Sequence, residues 1–219
     1  MGKRGNYSMK KFISLLSGGL DSPIASYLMI KKGFKPIFLS FLTSDDEDHT
    51  LKNKIITIIR RLSEFTDFKI KSYLINHDPN LDIFLQDCER KLTCILCKRL
   101  MIRIAEYIGK LEHTNIIVTG DILGEQASQT LSNLYAYHDL AKDYIILRPL
   151  IGFNKQEVIQ LNDKIGLYRI CSQKSASCQF NPQYPETHAK PSEVYKAESL
   201  YDPKELIVAS LKNAEILEF

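Results

Sequence analysis

The sequence predicts an α/β fold built on a parallel sheet, and three observations carry that expectation. From Lys11 onward, apolar runs, glycine turns and helical patterns alternate, as they do where crossover helices link parallel strands. The apolar runs are short and rich in Ile, Leu, Phe or Val, which suits strands covered on both faces. The first of them passes through a Gly-Gly turn straight into a helical pattern that carries Pro23 near its start.

The expected strands are residues 12–16, 36–41, 68–75, 115–118 and 144–147. Helical patterns fill the gaps at 23–32, 51–65, 97–110 and 155–165. The first and last of these end at Gly33 and Gly166, where a left-handed C-cap is least costly. Beyond Leu167 the pattern weakens through Pro182, Pro185 and Pro191, then resumes as a helical tail over 192–218, broken near Pro203. Residues 1–10, with Gly2, Gly5 and Asn6 among charges, show no periodicity and read as a disordered N-terminus. The domain reading is therefore one catalytic-sized unit over 11–190 and a helical C-terminal extension over 191–219 packed on it, with no internal repeat.

Composition narrows the function classes. Of 219 residues, 44% are hydrophobic and 25% charged, close to the globular average, which argues against a disordered chain. No apolar run approaches the roughly 20 residues that span a bilayer, and the first residues lack the apolar stretch of a signal peptide, so no membrane role and a cytoplasmic location are expected. A net charge of +3 admits a polyanionic partner without demanding one. Five cysteines (Cys88, Cys94, Cys97, Cys171, Cys178) in such a chain favour metal or redox chemistry over a disulfide framework.

The turn after the first strand reads Ser17-Gly18-Gly19-Leu20-Asp21-Ser22. Two glycines let backbone approach a ligand, and the N–H groups at the following helix start form a nest for an anion. Hydroxyls of Ser17 and Ser22 add donors, and Asp21 is placed to hold a Mg²⁺ bridging phosphates; a plain helix cap at Asp21 or Ser22 is the simpler alternative. The loop lacks the Gly-Lys-Ser/Thr ending of a Walker A site and the three-glycine spacing of a dinucleotide fingerprint. It resembles instead the SGGxDS signature of PP-loop ATP pyrophosphatases, a Rossmann-like fold of the adenine nucleotide alpha hydrolase type.

Further motifs follow in order: Cys97-Lys98-Arg99-Leu100-Met101, Val118-Thr119-Gly120-Asp121 with Leu123-Gly124, Ser128-Gln129-Thr130-Leu131, and Leu147-Arg148-Pro149-Leu150-Ile151-Gly152 followed by Lys155. Their order and spacing over residues 12–190 resemble the ThiI family, the tRNA 4-thiouridine synthetases. The resemblance implies that ATP is cleaved to AMP and pyrophosphate while a tRNA uridine, typically at position eight, is thiolated. It carries ATP contacts onto Leu15, Leu16, Ser40, Phe41, Lys98, Gly120 and Gln129, beside the cradle of Ser17, Gly18, Gly19, Asp21 and Ser22. Strand ends open onto the ligand crevice of such a sheet, and Lys98 can offset phosphate charge. Asp121 is a further candidate for Mg²⁺ or for positioning the base.

The sequence departs from the family in two ways. Family members usually carry an N-terminal ferredoxin-like region and a THUMP domain that dock tRNA, and some a C-terminal rhodanese domain; 219 residues leave room for neither. Gly124-Glu125-Gln126-Ala127 replaces a Gly-Gln-Val-Ser-like run. Capture of tRNA is therefore expected to use a separate THUMP-type protein, with sulfur from a donor protein or inorganic sulfide, and a homodimer stays open.

Cys94-Ile95-Leu96-Cys97 puts two thiols at an expected helix start, where the dipole and Lys98 would lower their pKa. Cys178 aligns with the cysteine that family members hold near the active site. Three thiolates are one short of full ligation of a four-iron cluster, leaving an iron open to carry sulfide. Two alternatives remain: Cys178 as a persulfide carrier resolved by Cys94 or Cys97, or a zinc site completed by Cys171 or His188. Cys88 reads as packing, and His49, His113 and His138 as surface residues. The rival functions are sulfur transfer or ligation on a small molecule such as a thiamine precursor, and a non-catalytic nucleotide-binding sulfur-relay subunit.

Overall fold

A computed structural model of the chain describes residues 10–43, 49–173 and 178–219, so the N-terminal expectation falls, for residues 1–9, outside the described residues. In chain order the elements are β1 (Lys11–Leu15), α1 (Asp21–Lys31), β2 (Lys35–Leu42), α2 (Thr50–Ser63), β3 (Lys71–Asn76), α3 (Asp78–Asp87) and α4 (Thr93–Leu111). There follow β4 (Ile116–Val118), α5 (Leu131–Tyr135), β5 (Ile145–Leu147), α6 (Lys155–Lys164), α7 (Tyr168–Cys171), α8 (Pro191–Glu198), α9 (Pro203–Lys212) and β6 (Glu215–Glu218). The sheet runs β5-β4-β1-β2-β3-β6. Its first five strands are parallel, as the alternation of strand and helix dictates.

Each parallel strand divides its side chains between two cores. Ile13, Leu15, Ile37, Leu39 and Tyr73 face the layer of α3, α4, α8 and α9, while Phe12, Leu16, Phe38 and Leu74 face α1, α2, α6 and α7. Helix α2 shows why its sequence folds this way. Ile55, Ile58, Ile59 and Leu62 recur at i, i+3, i+4 and i+7 and are fully buried. Burying such a side chain contributes roughly 1.5–3 kcal/mol, so this one stripe fixes the helix to the sheet. Gly33 and Gly166 take φ of +82° and +71° after α1 and α6, as expected of left-handed caps, and Asn154 with Glu157 forms a capping box at the start of α6.

Three expectations need correction. The C-terminal tail is not helical to residue 218: α9 ends at Lys212, and β6 pairs antiparallel with β3, Tyr73 opposite Ile216. Without β6 the backbone of β3 would form an open sheet edge, and reciprocal bonds between Ile70 and Phe219, both 2.9 Å, extend the pairing. Helix α3 occupies a stretch to which no element was assigned. Helix α4 starts at Thr93 rather than Cys97, so Cys94 and Cys97 both lie in its opening turns. Among the described residues no helix is long and apolar enough to cross a membrane.

Candidate active site

The crevice opens beyond the C-terminal ends of β1 and β4, the neighbours at which strand order reverses, where ligands of open α/β sheets bind. The turn after β1 is held by its own hydroxyls. The Ser17 amide donates to Ser22 Oγ at 2.8 Å, the two hydroxyls stand 3.0 Å apart, and the Gly19 amide donates to Ser17 Oγ at 3.3 Å. Ser22 lies in the first turn of α1, whose opening N–H groups face the crevice without an intrahelical partner. Gly120, just after β4, permits the close approach: a Cβ there would stand 2.6 Å from both Cα and N of Ser22.

Charged side chains converge on this turn. Lys155, the first residue of α6, places Nζ 2.7 Å from Asp21 Oδ1. Asp121 is 1% exposed; its Oδ1 accepts from Lys98 Nζ at 2.7 Å, and its Oδ2 accepts from Thr119 Oγ1 at 2.7 Å and Arg148 Nε at 3.2 Å. Burial alone would raise the Asp121 carboxyl. The Lys98 and Arg148 charges and the bonds from Lys98 and Thr119 outweigh it, and the group sits below its ordinary range. Asp121 is thus a fixed anion that pairs with two cations, and Lys98 lines the crevice beside it.

Most of the residues expected at the nucleotide site line one cavity: Leu15, Leu16, Ser17, Asp21, Ser22, Phe41, Lys98, Gly120 and Gln129, joined by Leu39, Met101, Asp121 and Gln126. Gly18 and Gly19 form the turn without lining it. Gly18 packs under the loop, where a Cβ would meet Leu51 Cδ1 at 2.9 Å. Ser40 does not line this cavity: alternation along β2 turns its side chain to the face of Phe38, where its hydroxyl is fully buried and has no hydrogen-bond partner among the described residues, while Leu39 and Phe41 on either side of it line the crevice.

A second cavity of about 430 Å³ adjoins the first, and Cys94, Cys97 and Cys178 all line it. The expected lowering of the thiol pKa values is also corrected. Burial pushes both Cys94 and Cys97 up, neighbouring sulfurs add to the rise, and the Lys98 charge lowers Cys97 by less. Lys98 is committed to Asp121, and desolvation is the largest influence on both thiols. Sequence reasoning missed His77, which is 1% exposed and places Nε2 3.3 Å from Cys97 Sγ. Burial lowers its imidazole to about 3, so the ring is neutral.

Other residues fall where they were expected or rule out a site. Cys171 packs in the core on the α2 side of the sheet, away from the cavity, and so does not complete a zinc site with the other three. Among the described residues no group of three or more His, Cys, Asp or Glu is disposed to hold a single metal ion. Cys88 packs against the opposite core, and His49, His113 and His138 are exposed.

Comparison with known proteins points the same way. The family model described as "Thiamine biosynthesis protein (ThiI)" matches residues 7–202. A probable tRNA sulfurtransferase of Methanosarcina mazei is 39% identical over 95% of this chain and 51% of its own length. One from Methanocaldococcus jannaschii is 35% identical over 86% and 49%. The chain therefore spans about half the length of the curated relatives it matches. The crystal structure of a 4-thiouridine synthetase–RNA complex with bound ATP superimposes with a TM-score of 0.90 at 29% identity, covering 96% of this chain and 55% of that one. NMN synthetase from Francisella tularensis, at a TM-score of 0.58 and 18% identity over 93% of this chain and 84% of that one, shares the fold alone.

Proposed function

Because the chain belongs to the ThiI family, we propose that it uses ATP to convert a tRNA uridine into 4-thiouridine, first adenylating the base and then replacing its oxygen with sulfur. One observation supports this reading: the nucleotide crevice and the cysteine cavity adjoin, sharing the lining residues Ser17, Phe41, Lys98, Met101, Gln126 and Gln129. A base held at that shared wall has the phosphate cradle on one side and thiols on the other.

In the first step uridine O4 bonds to the α-phosphorus of ATP and the bond to the bridging oxygen breaks, releasing pyrophosphate. The N–H groups opening α1 and the hydroxyls of Ser17 and Ser22 receive it, while Lys98 and Lys155 offset its charge. Leu15, Leu16 and Phe41 offer the apolar wall for adenine, and Gly120 and Gln129 the polar rim. Asp21 would hold Mg²⁺, since this ion takes one or two carboxylates together with substrate phosphates. Asp121, bound to Lys98, Thr119 and Arg148, orients the two cations.

In the second step a sulfur bonds to C4 and the C4–O bond breaks, with AMP as the leaving group. Cys94, Cys97 and Cys178 suit a four-iron cluster by chemistry: each thiol would take a separate iron, a different demand from gathering three ligands on one ion, and the bound group would supply the sulfur. The placement of Cys178 in one cavity with Cys94 and Cys97 favours a second course, in which Cys178 takes the sulfane sulfur of a donor protein's persulfide, freeing the donor's thiol, and the outer sulfur of the resulting Cys178 persulfide bonds to C4 as AMP leaves. The thiolate of Cys94 or Cys97 then attacks Cys178 Sγ, freeing 4-thiouridine and leaving a disulfide for an external dithiol to reduce.

Binding of tRNA is assigned to a THUMP-bearing polypeptide working with this chain in the cytoplasm, since +3 net charge supplies few phosphate contacts. The family description's reference to thiamine favours one other acceptor, a small thiamine precursor. The test is pyrophosphate release from ATP with tRNA and a THUMP-bearing protein, with a thiamine precursor, or with neither. Release dependent on tRNA is expected; release dependent on the small molecule supports the second acceptor, and none with either defeats the reading.

A further inference from the structure

His77 follows β3 at its C-terminal end, where its amide donates to the Leu42 carbonyl at 2.8 Å and its ring meets the Phe41 ring edge-on, centroids 4.8 Å apart. Its Nδ1 lies 3.2 Å from Asn80 Nδ2, which also donates to Ser210 Oγ at 3.0 Å. All three side chains are buried, at 1%, 4% and 6% exposure. A relay therefore runs from α9 through α3 to the wall of the cysteine cavity.

The relay fixes the direction of its last bond. An amide nitrogen only donates, so Nδ1 accepts and carries no proton. A neutral imidazole has one proton, which is then on Nε2, the atom 3.3 Å from Cys97 Sγ. We infer that His77 is a positioning residue that donates Nε2–H to the Cys97 sulfur and fixes the direction in which that sulfur faces the cavity. A donor to sulfur serves a persulfide-resolving thiolate and a cluster-ligating thiolate alike. The inference rests on the reading that Cys97 handles sulfur.

Three readouts on the full chain test it. Long-range proton–nitrogen correlation in ¹⁵N-labelled protein is expected to give His77 the Nε2–H pattern. His77→Leu is expected to slow N-ethylmaleimide labelling of Cys97 at fixed pH and to lower thiolation by about 10–100-fold, the usual cost of losing such a partner, with the KM for ATP unchanged. His77→Gln keeps an N–H at the Nε2 position and is expected to stay close to wild type in both. Should the Leu variant not fold, Asn80→Ala leaves the ring in place, frees its tautomer and is expected to shift labelling the same way. An Nδ1–H pattern, or equal behaviour of the Leu and Gln variants, overturns the inference. Expected labelling in a wild-type protein that thiolates no tRNA counts against the thiolation reading and upholds this one.

Discussion

Lys155 Nζ stands 2.7 Å from Asp21 Oδ1, joining the first turns of α6 and α1 across 134 residues of sequence. Both side chains reach solvent in part, so their pairing contributes at most about 1 kcal/mol to stability. Its value is positional: a cation and a carboxylate are kept at the mouth of the phosphate cradle. Asp21→Ala and Lys155→Ala are each expected to lower pyrophosphate release by about 100-fold or more, while the thermal transition moves little. Unchanged release in both variants would remove these residues from the chemistry.

Gly120→Ala tests the close approach of two backbones. The new methyl would meet Ser22 Cα and N at 2.6 Å, backbone atoms that move only with the start of α1. Overpacking of this kind costs typically 1–3 kcal/mol. Calorimetric titration with an ATP analogue is expected to find binding lost as well. Gly19→Ala, where the nearest atom is Ser17 Oγ at 3.5 Å and φ is not positive, is expected to keep wild-type stability toward urea.

Arg99, fully buried, donates both terminal nitrogens to Asp139, at 2.7 and 2.8 Å, and also donates to Glu198, which Arg103 grips in turn. The network ties α8 and the segment after α5 to α4, the helix that carries Cys94, Cys97 and Lys98. Burial would raise both carboxyls, but the bonds and charges of the arginines prevail and hold them low. Because their folded values lie below the unfolded ones, the stability they give is present above about pH 4 and is lost as pH falls through the folded values. Glu198→Ala is expected to cost about 3–5 kcal/mol in urea unfolding at pH 7, as breaking one side of a buried pair does, and to flatten the acid branch of the stability curve. An unaltered acid branch would show that the network is not what acid attacks.

Residues whose placement follows from local chemistry were legible in the sequence. The Ser-Gly-Gly-Leu-Asp-Ser turn, Gly120 and Lys98 stand where the motif order put them, because backbone approach and charge are properties of the residues themselves. What failed depended on burial and long-range pairing. Glu215–Glu218 is a strand because β3 lies beside it, and a lone histidine between Asn76 and Asp78 reads as loop until α3, α4 and α9 close over it. Helix α3 does carry a local signal, Pro79 in its first turn. The thiols of Cys94 and Cys97 followed the same rule: helix start and Lys98 argued one way, and desolvation, invisible in the sequence, decided the other.

The cysteines separate the two sulfur chemistries. Cys94→Ala, Cys97→Ala and Cys178→Ala are each expected to abolish 4-thiouridine formation while leaving pyrophosphate release near wild type, since the cradle and Lys98 remain. If the three ligate a cluster, each variant also loses iron after anaerobic purification. If Cys178 is a persulfide carrier, Cys94→Ala or Cys97→Ala recovers part of its activity with added dithiol and Cys178→Ala does not. Thiolation that survives Cys178→Ala would exclude both chemistries.

If one crevice performs both steps, two variants each inactive in one step cannot complement each other when mixed. Asp21→Ala keeps the cysteines and lacks adenylation; Cys178→Ala adenylates and lacks sulfur transfer. With ATP, tRNA and a sulfur source, 4-thiouridine is counted by mass spectrometry in each variant and in the equimolar mixture. If the adenylated base never leaves the shared wall of Ser17, Phe41, Lys98 and Gln129, the mixture is as inactive as its parts. Recovery of thiolation on mixing would mean that the two steps occur at separate sites, and would contradict the account.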